Sequence, residues 1–221
     1  MSSETTLPIL YSLQNCPYAM RARLALLLAQ QSVQIRAITM KDKPDEMLQA
    51  SPKGTVPVLI IDEKLIIDES LDVMLWALNR NDPENLLYAH DEKALTEMLK
   101  IIEENDNEFK PKLEKYKRAK RFHGDDLEDS RLECEVFVQD LEQRLSQHEF
   151  LMGETPSLLD FALLPFIRQF SRVNKSIFSQ DQYTNLRRWL RYHLQSRLFS
   201  IAMIKYPLWL DTHEVCLLGE Y

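Results

Sequence analysis

The sequence predicts an N-terminal α/β unit followed by an all-α one, and three observations predict it. Strand-like and helix-like stretches alternate as βαβαββα within the first 80 residues. From Asp91 onward the apolar spacing is helical almost throughout. Only 4 of 221 residues are glycine, which suits a mostly helical chain with few tight turns.

Taken in order, Leu7 to Ser12 reads as a strand and Pro17 to Gln30 as a helix. Ala22, Ala25, Leu26 and Ala29 share one face of that helix, and Leu24, Leu27 and Leu28 make other faces apolar, so it is expected to be covered on two sides. Val33 to Ile38 alternates as a second strand, and "DEMLQA" reads as a short helix. "SPKGTVPVLIIDEKLIIDES" supplies a turn, a strand from Val58 to Ile61, a hairpin at Asp62 to Lys64 and a strand from Leu65 to Ile67. A helix from Leu71 to Asn79 closes the unit, giving a first domain of residues 1–80. The polar stretch "NRNDPENLLYAHDE" marks a linker over 81–90, and residues 91–221 form the expected all-helical domain. Its helices are predicted over about 92–120, 127–147, 159–173, 184–195 and 198–204.

Composition excludes several classes. Asp and Glu total 34 against 27 Lys and Arg, so a net charge of −7 argues against nucleic acid and anionic membrane surfaces. The first residues lack a basic stretch followed by an apolar one, and "LALLLA" is too short to span a bilayer. Three widely spaced cysteines, Cys16, Cys134 and Cys216, make no disulfide framework, and a cytoplasmic location is expected. The five histidines show no ligand spacing, so no metal is expected. "KYKRAKR" is followed at once by acidic residues and reads as a solvated helix end.

One cysteine stands apart. In "LQNCPYAMRARLAL" Pro17 takes the first helical position and sets Cys16 at the N-cap. Cys134 lies on one helical face with Phe137, Val138, Leu141 and Leu145 and reads as core. A thiol at a helix start meets free N–H groups and the positive end of the dipole, an environment that favours thiolate. A small packed residue is the plainer reading. Ala19 occupies the place of the second thiol in a C-x-x-C motif, so any partner sulfur comes from another molecule. Val56-Pro57 ahead of an apolar strand reads as a turn or an edge feature. "DES", Asp68 to Ser70, either caps a helix or offers a helix N-terminus to a ligand carboxylate.

Together and in this order, "CPYAMRARLAL", "SPKGTVPVL" and "IIDESLDVMLWAL" resemble the glutathione transferase superfamily, and its cysteine-type members (omega-like and bacterial glutaredoxin-like) more than the tyrosine or serine types. "GETPSLLDFALLPFIRQF" continues the resemblance, with Ser157 and Asp160 as a structural capping box. The resemblance implies a thioredoxin-like first domain with glutathione as co-substrate. Cys16 would form a mixed disulfide with the tripeptide, and Val56, ahead of a cis Pro57, would pair its backbone with it. Glu69 and Ser70 would hold the γ-glutamyl end, and Lys53 would lie near the glycyl carboxylate. An acceptor pocket between the domains would draw on Phe166, Phe170 and Trp189. A homodimer is implied as well.

The resulting expectation is a glutathione-dependent thiol transferase acting on a small disulfide or electrophilic substrate. A conjugating transferase is the nearest alternative, and a non-catalytic regulatory binding protein on the same fold is the alternative of another class.

Overall fold

The computed structural model describes residues 7–220. The N-terminal stretch read above for a signal sequence lies, through Thr6, outside them. The chain divides into two compact units: one from the chain up to Glu84 together with the chain from Ser196 onward, the other Asn85–Gln195.

The first unit begins β1 (Ile9–Ser12), α1 (Pro17–Leu28), β2 (Gln34–Ala37), α2 (Asp45–Ala50), β3 (Val58–Ile60), β4 (Ile66–Ile67) and α3 (Ser70–Arg80). This is the expected βαβαββα order, with ends shifted by a residue or two. β1 runs parallel to β2 and antiparallel to β3, and β3 is antiparallel to β4. α1 is covered on two sides as expected, because Ala19, Met20, Ala22, Leu24, Ala25 and Leu26 have no exposed surface.

The second unit holds α4 (Glu92–Glu104), a π-turn (Asn105–Phe109), α5 (Lys110–Phe122), α6 (Leu127–Gln147), α7 (Leu158–Val173), α8 (Lys175–Phe178), a 3-10 turn (Asp181–Tyr183) and α9 (Thr184–Leu194). The single helix expected over 92–120 is thus interrupted by a π-turn. Pro111 has no N–H for the carbonyl four residues back and its ring crowds that carbonyl, so the preceding turn widens. Polar side chains tie the helices together. Glu142 of α6 accepts from the N–H groups of Asn185 and Leu186 at the start of α9, and Arg188 of α9 donates to the carbonyls of Leu145, His148 and Glu149 at the end of α6. Asp160 at the start of α7 has no exposed surface and accepts from Leu151 N, Ser157 N, Ser157 Oγ and Trp189 Nε1 at 2.7–3.0 Å. Burial pushes its carboxyl up against the pull of those donors.

The end of the chain departs from expectation. Residues from Ser196 belong to the first unit instead of closing the helical domain expected over 91–221. They form α10 (Arg197–Ala202), α11 (Trp209–Thr212) and β5 (Cys216–Leu217). β5 pairs antiparallel with β2 and extends the sheet to five strands in the order β4-β3-β1-β2-β5. The physical reason is an open edge: β2 would otherwise present unpaired backbone groups, and β5 takes them up. Trp209 reinforces the attachment. Its ring lies 3.8 Å from the Arg36 guanidinium of β2, and Arg36 donates to the Tyr11 hydroxyl at 2.6 Å.

Candidate functional site

Cys16 sits where β1 gives way to α1. Its N–H closes a turn onto the Leu13 carbonyl at 3.2 Å, and its own carbonyl accepts the first helical bond, from Met20 at 3.0 Å. Its backbone is extended (φ −73°, ψ 125°), and Pro17 follows at the first helical position, where a missing N–H costs nothing. The half-buried thiol points to the Val56 carbonyl at 3.9 Å, within reach for a weak S–H donor. The Val56-Pro57 peptide is cis. Gly54, at φ +61°, turns the chain into this segment, and a Cβ there would lie 3.2 Å from Lys43 Nζ and 3.3 Å from Leu48 Cδ2. Val56 belongs to an apolar cluster with Tyr11, Ala19, Ile38, Met47 and Val58, against which Cys16 and Trp209 pack.

Ser51 and Lys53 of the same turn segment form a second group with Asp68 and Glu69 at the start of α3. Lys53 Nζ lies 2.5 Å from Glu69 Oε1 and 3.3 Å from Asp68 Oδ1, and Ser51 Oγ donates to Asp68 Oδ2 at 2.6 Å. The Ser51 hydrogen bond, with Lys53 adding to it, holds the Asp68 carboxyl below its ordinary value. Burial works against the Lys53 ammonium, but the bonds to Glu69 and Asp68 overcome it and hold Lys53 above its ordinary value. Glu69 is the extended N-cap of α3, and Ser70, 5% exposed, is its first residue. The free N–H groups of α3 therefore open beside a mixed pair of charges, a setting able to hold the amine and carboxylate of an amino-acid end.

Of the residues expected at the glutathione site, the structure joins Cys16 to Val56 and Pro57, and Lys53 to Glu69 with Ser70 adjacent. It does not gather an acceptor pocket from Phe166, Phe170 and Trp189. Trp189 and Phe166 have no exposed surface, and Phe170 is 4% exposed among Phe109, Tyr116, Phe178 and Tyr183. The Trp189 indole N–H is spent on Asp160. These rings are the core of the helical unit, because their helical spacing faces them inward and Asp160 takes the one polar handle.

Two residues escaped the sequence reading. Arg21 and Arg23 of α1 are 0% and 1% exposed. Arg21 Nη1 reaches Ser70 Oγ at 3.5 Å. Arg23 donates to Ser12 Oγ at 2.5 Å, to the Leu13 and Gln14 carbonyls at 3.2 and 2.9 Å, and to the Ala202 carbonyl at 2.8 Å. The signal was present: charges within a helix expected to be covered on both sides must be buried, and buried guanidinium needs acceptors. Among the other thiols, burial pushes Cys134 up to about 12 and also raises Cys216.

Comparison with known proteins places the chain in a family. The glutathione S-transferase N-terminal domain matches residues 10–85, and the glutathione S-transferase C-terminal domain matches residues 137–191. The chain is 27% identical to pyrimidodiazepine synthase of Drosophila melanogaster, over 82% of this chain and 74% of that protein. It is 26% identical to glutathione S-transferase omega-1 of Mus musculus, over 74% of this chain and 67% of that one. Among solved structures, a glutathione transferase family member from Pseudomonas fluorescens with two glutathione bound superposes at a TM-score of 0.77, with 18% identity, over 91% of this chain and 94% of that one. With both domains matched in order on the fold described, the chain belongs to the glutathione transferase superfamily.

Proposed function

We propose that the chain is a glutathione-dependent thiol transferase that works through Cys16 alone. The observation that carries the reading is the half-buried Cys16 thiol at the start of α1, against the carbonyl that precedes the cis Val56-Pro57 bond. Its similarity to the omega-class protein supports the same reading. A Cys16 thiolate attacks the glutathionyl sulfur of a mixed disulfide, a Cys16–glutathione S–S bond forms, and the substrate leaves as its thiolate. The thiolate of a second glutathione then attacks that bond, which releases oxidised glutathione and restores Cys16. Ala19 offers no local thiol, so the second sulfur must be glutathione's.

Bound tripeptide would place its γ-glutamyl amine at Glu69 and its carboxylate at Ser70 and the free N–H groups of α3. Lys53, already seated between Asp68 and Glu69, would meet the glycyl carboxylate by swinging out of that pair. The Val56 backbone would pair with the tripeptide as a short added strand. Two copies would assemble as a homodimer, read as a light-scattering mass twice the 26.0 kDa of the chain. Conjugation of glutathione to an electrophile is the second reading. Cys16 argues against it, since a thiol at this place bonds the glutathione sulfur instead of merely donating to it.

The test pairs intact mass with kinetics. After incubation with oxidised glutathione the chain should gain one glutathionyl group, mapped to Cys16. Cys16→Ser keeps a good N-cap and the fold, retains the chain on immobilised glutathione, and should reduce thiol transfer to background. Near wild-type transfer by Cys16→Ser would overturn the reading, and a conjugating activity that survives it would favour the second.

A further inference from the structure

The thiol of Cys16 owes its place to a turn outside any strand or helix. Leu13, Gln14 and Asn15 lead from the end of β1 to Cys16, and the Cys16 N–H closes the turn onto the Leu13 carbonyl. Such a turn can shift unless something outside it takes up its other backbone groups.

Arg23 does so. It lies nearly two turns into α1, where side chains lean back toward the helix start, and it is 1% exposed. Its five N–H groups have five acceptors in reach. Nη1 donates to Ser12 Oγ at 2.5 Å and to the Leu13 carbonyl at 3.2 Å. Nη2 donates to the Gln14 carbonyl at 2.9 Å and to Met203 Sδ at 3.8 Å, and Nε to the Ala202 carbonyl at 2.8 Å. The Leu13 carbonyl therefore accepts from Arg23 and from Cys16 together, so the guanidinium and the cysteine backbone share one oxygen.

The far side of the fork is fixed as well. Ala202 and Met203 end α10, where carbonyls lack helical partners. Arg23 takes the first of these carbonyls, and Gln14 Nε2 takes the second at 2.8 Å. The turn before Cys16 is thus held between α1 and the end of α10. Val56, Glu69 and Ser70, the residues that would hold glutathione, stand on other elements.

We propose that Arg23, braced by Gln14, is the positioning residue of the Cys16 thiol, setting where the sulfur stands against bound glutathione. This role rests on the thiol-transferase reading and adds to it what aligns the nucleophile. An attacking atom about 1 Å out of place can lose on the order of 10²-fold in rate. Lysine keeps the charge at position 23, but a point charge on a flexible stem cannot hold Ser12, Leu13, Gln14 and Ala202 together.

The test separates alignment from binding and from thiol reactivity. Arg23→Lys should lower kcat for a glutathione mixed disulfide at least about tenfold and move KM by less than about twofold. Iodoacetamide is small and needs no alignment with a bound ligand, so its alkylation of Cys16 should slow by less than about threefold. Gln14→Leu removes only the side-chain tie to the Met203 carbonyl and leaves the buried charge in place, so it tests the same alignment in a chain that folds. It should lower kcat about threefold. Unchanged kcat in either variant, or alkylation that slows as much as transfer does, would overturn the inference while Cys16 keeps its role. Transfer that survives Cys16→Ser would instead overturn the reading beneath it.

Discussion

His193 of α9 offers the sharpest test of the helical core. It is 2% exposed, and its ring lies 5.0 Å from Trp189, 5.2 Å from Phe161 and Tyr192, and 5.8 Å from Phe150. Burial pushes its imidazole down from 6.5 to about 4. The sign follows from linkage: between pH 6.5 and about 4 the unfolded chain binds a proton that the folded chain refuses. Stability from this residue is therefore whole above 6.5 and falls as the pH drops through that window. Each pH unit crossed costs up to about 1.4 kcal/mol, which sums to about 2.5 kcal/mol by about pH 4.5. His193→Phe keeps an aromatic ring and removes the proton site. Urea unfolding of both proteins at about pH 7.5 and about pH 4.5 should show the variant losing about 2.5 kcal/mol less than wild type across the interval. The comparison is between two pH values, so a constant offset from altered packing cancels. Parallel losses in the two proteins would refute the claim that this histidine is held neutral by burial.

Two further outcomes follow from the site and the core. Trp189→Phe removes one of the four donors to the buried Asp160 carboxylate, so it should lower stability by about 1–3 kcal/mol in denaturant unfolding. The KM for the disulfide substrate should not change, and a large rise would return Trp189 to the acceptor site. Iodoacetamide labelling with peptide mapping near neutral pH should modify Cys16 well before Cys134, which burial holds at about 12, and before Cys216, which burial also raises. Labelling of Cys134 at a comparable rate would contradict the packing of α6.

The parts of the fold legible in the sequence are those where neighbours in the chain decide the structure. Pro17, the Val58–Ile60 run and the Ser157/Asp160 box each act within a few residues, and the elements they start were found within a residue or two. β5 was missed because two residues carry no period; Cys216 and Leu217 become a strand only through the open edge of β2. The acceptor residues failed for a related reason. An aromatic on a helix looks the same whether it faces a ligand or other aromatics, and Phe170 faces other aromatics. The position of Cys16 was readable from Pro17, whereas Val56 was named through resemblance alone, as a partner of the tripeptide, and its carbonyl opposite the thiol, forty residues away, carries no signal in the spacing.

Arg23 links these two kinds of information. Taking a guanidinium out of water costs several kcal/mol unless its donors are met, and here Ser12, Leu13, Gln14 and Ala202 meet them. Three of those acceptors are at the end of β1 and in the loop that leads to Cys16, and the fourth belongs to α10. Gln14 adds a second tie, donating to the Met203 carbonyl at 2.8 Å. The loop that delivers the thiol is thus held from below by α1 and from the side by the returning end of the chain. A lysine could not reproduce this, since the planar fork of arginine serves several carbonyls at once and an ammonium acts as a point charge. The same burial that makes Arg23 invisible to a hydrophobic period makes it a fixed reference for where Cys16 sits.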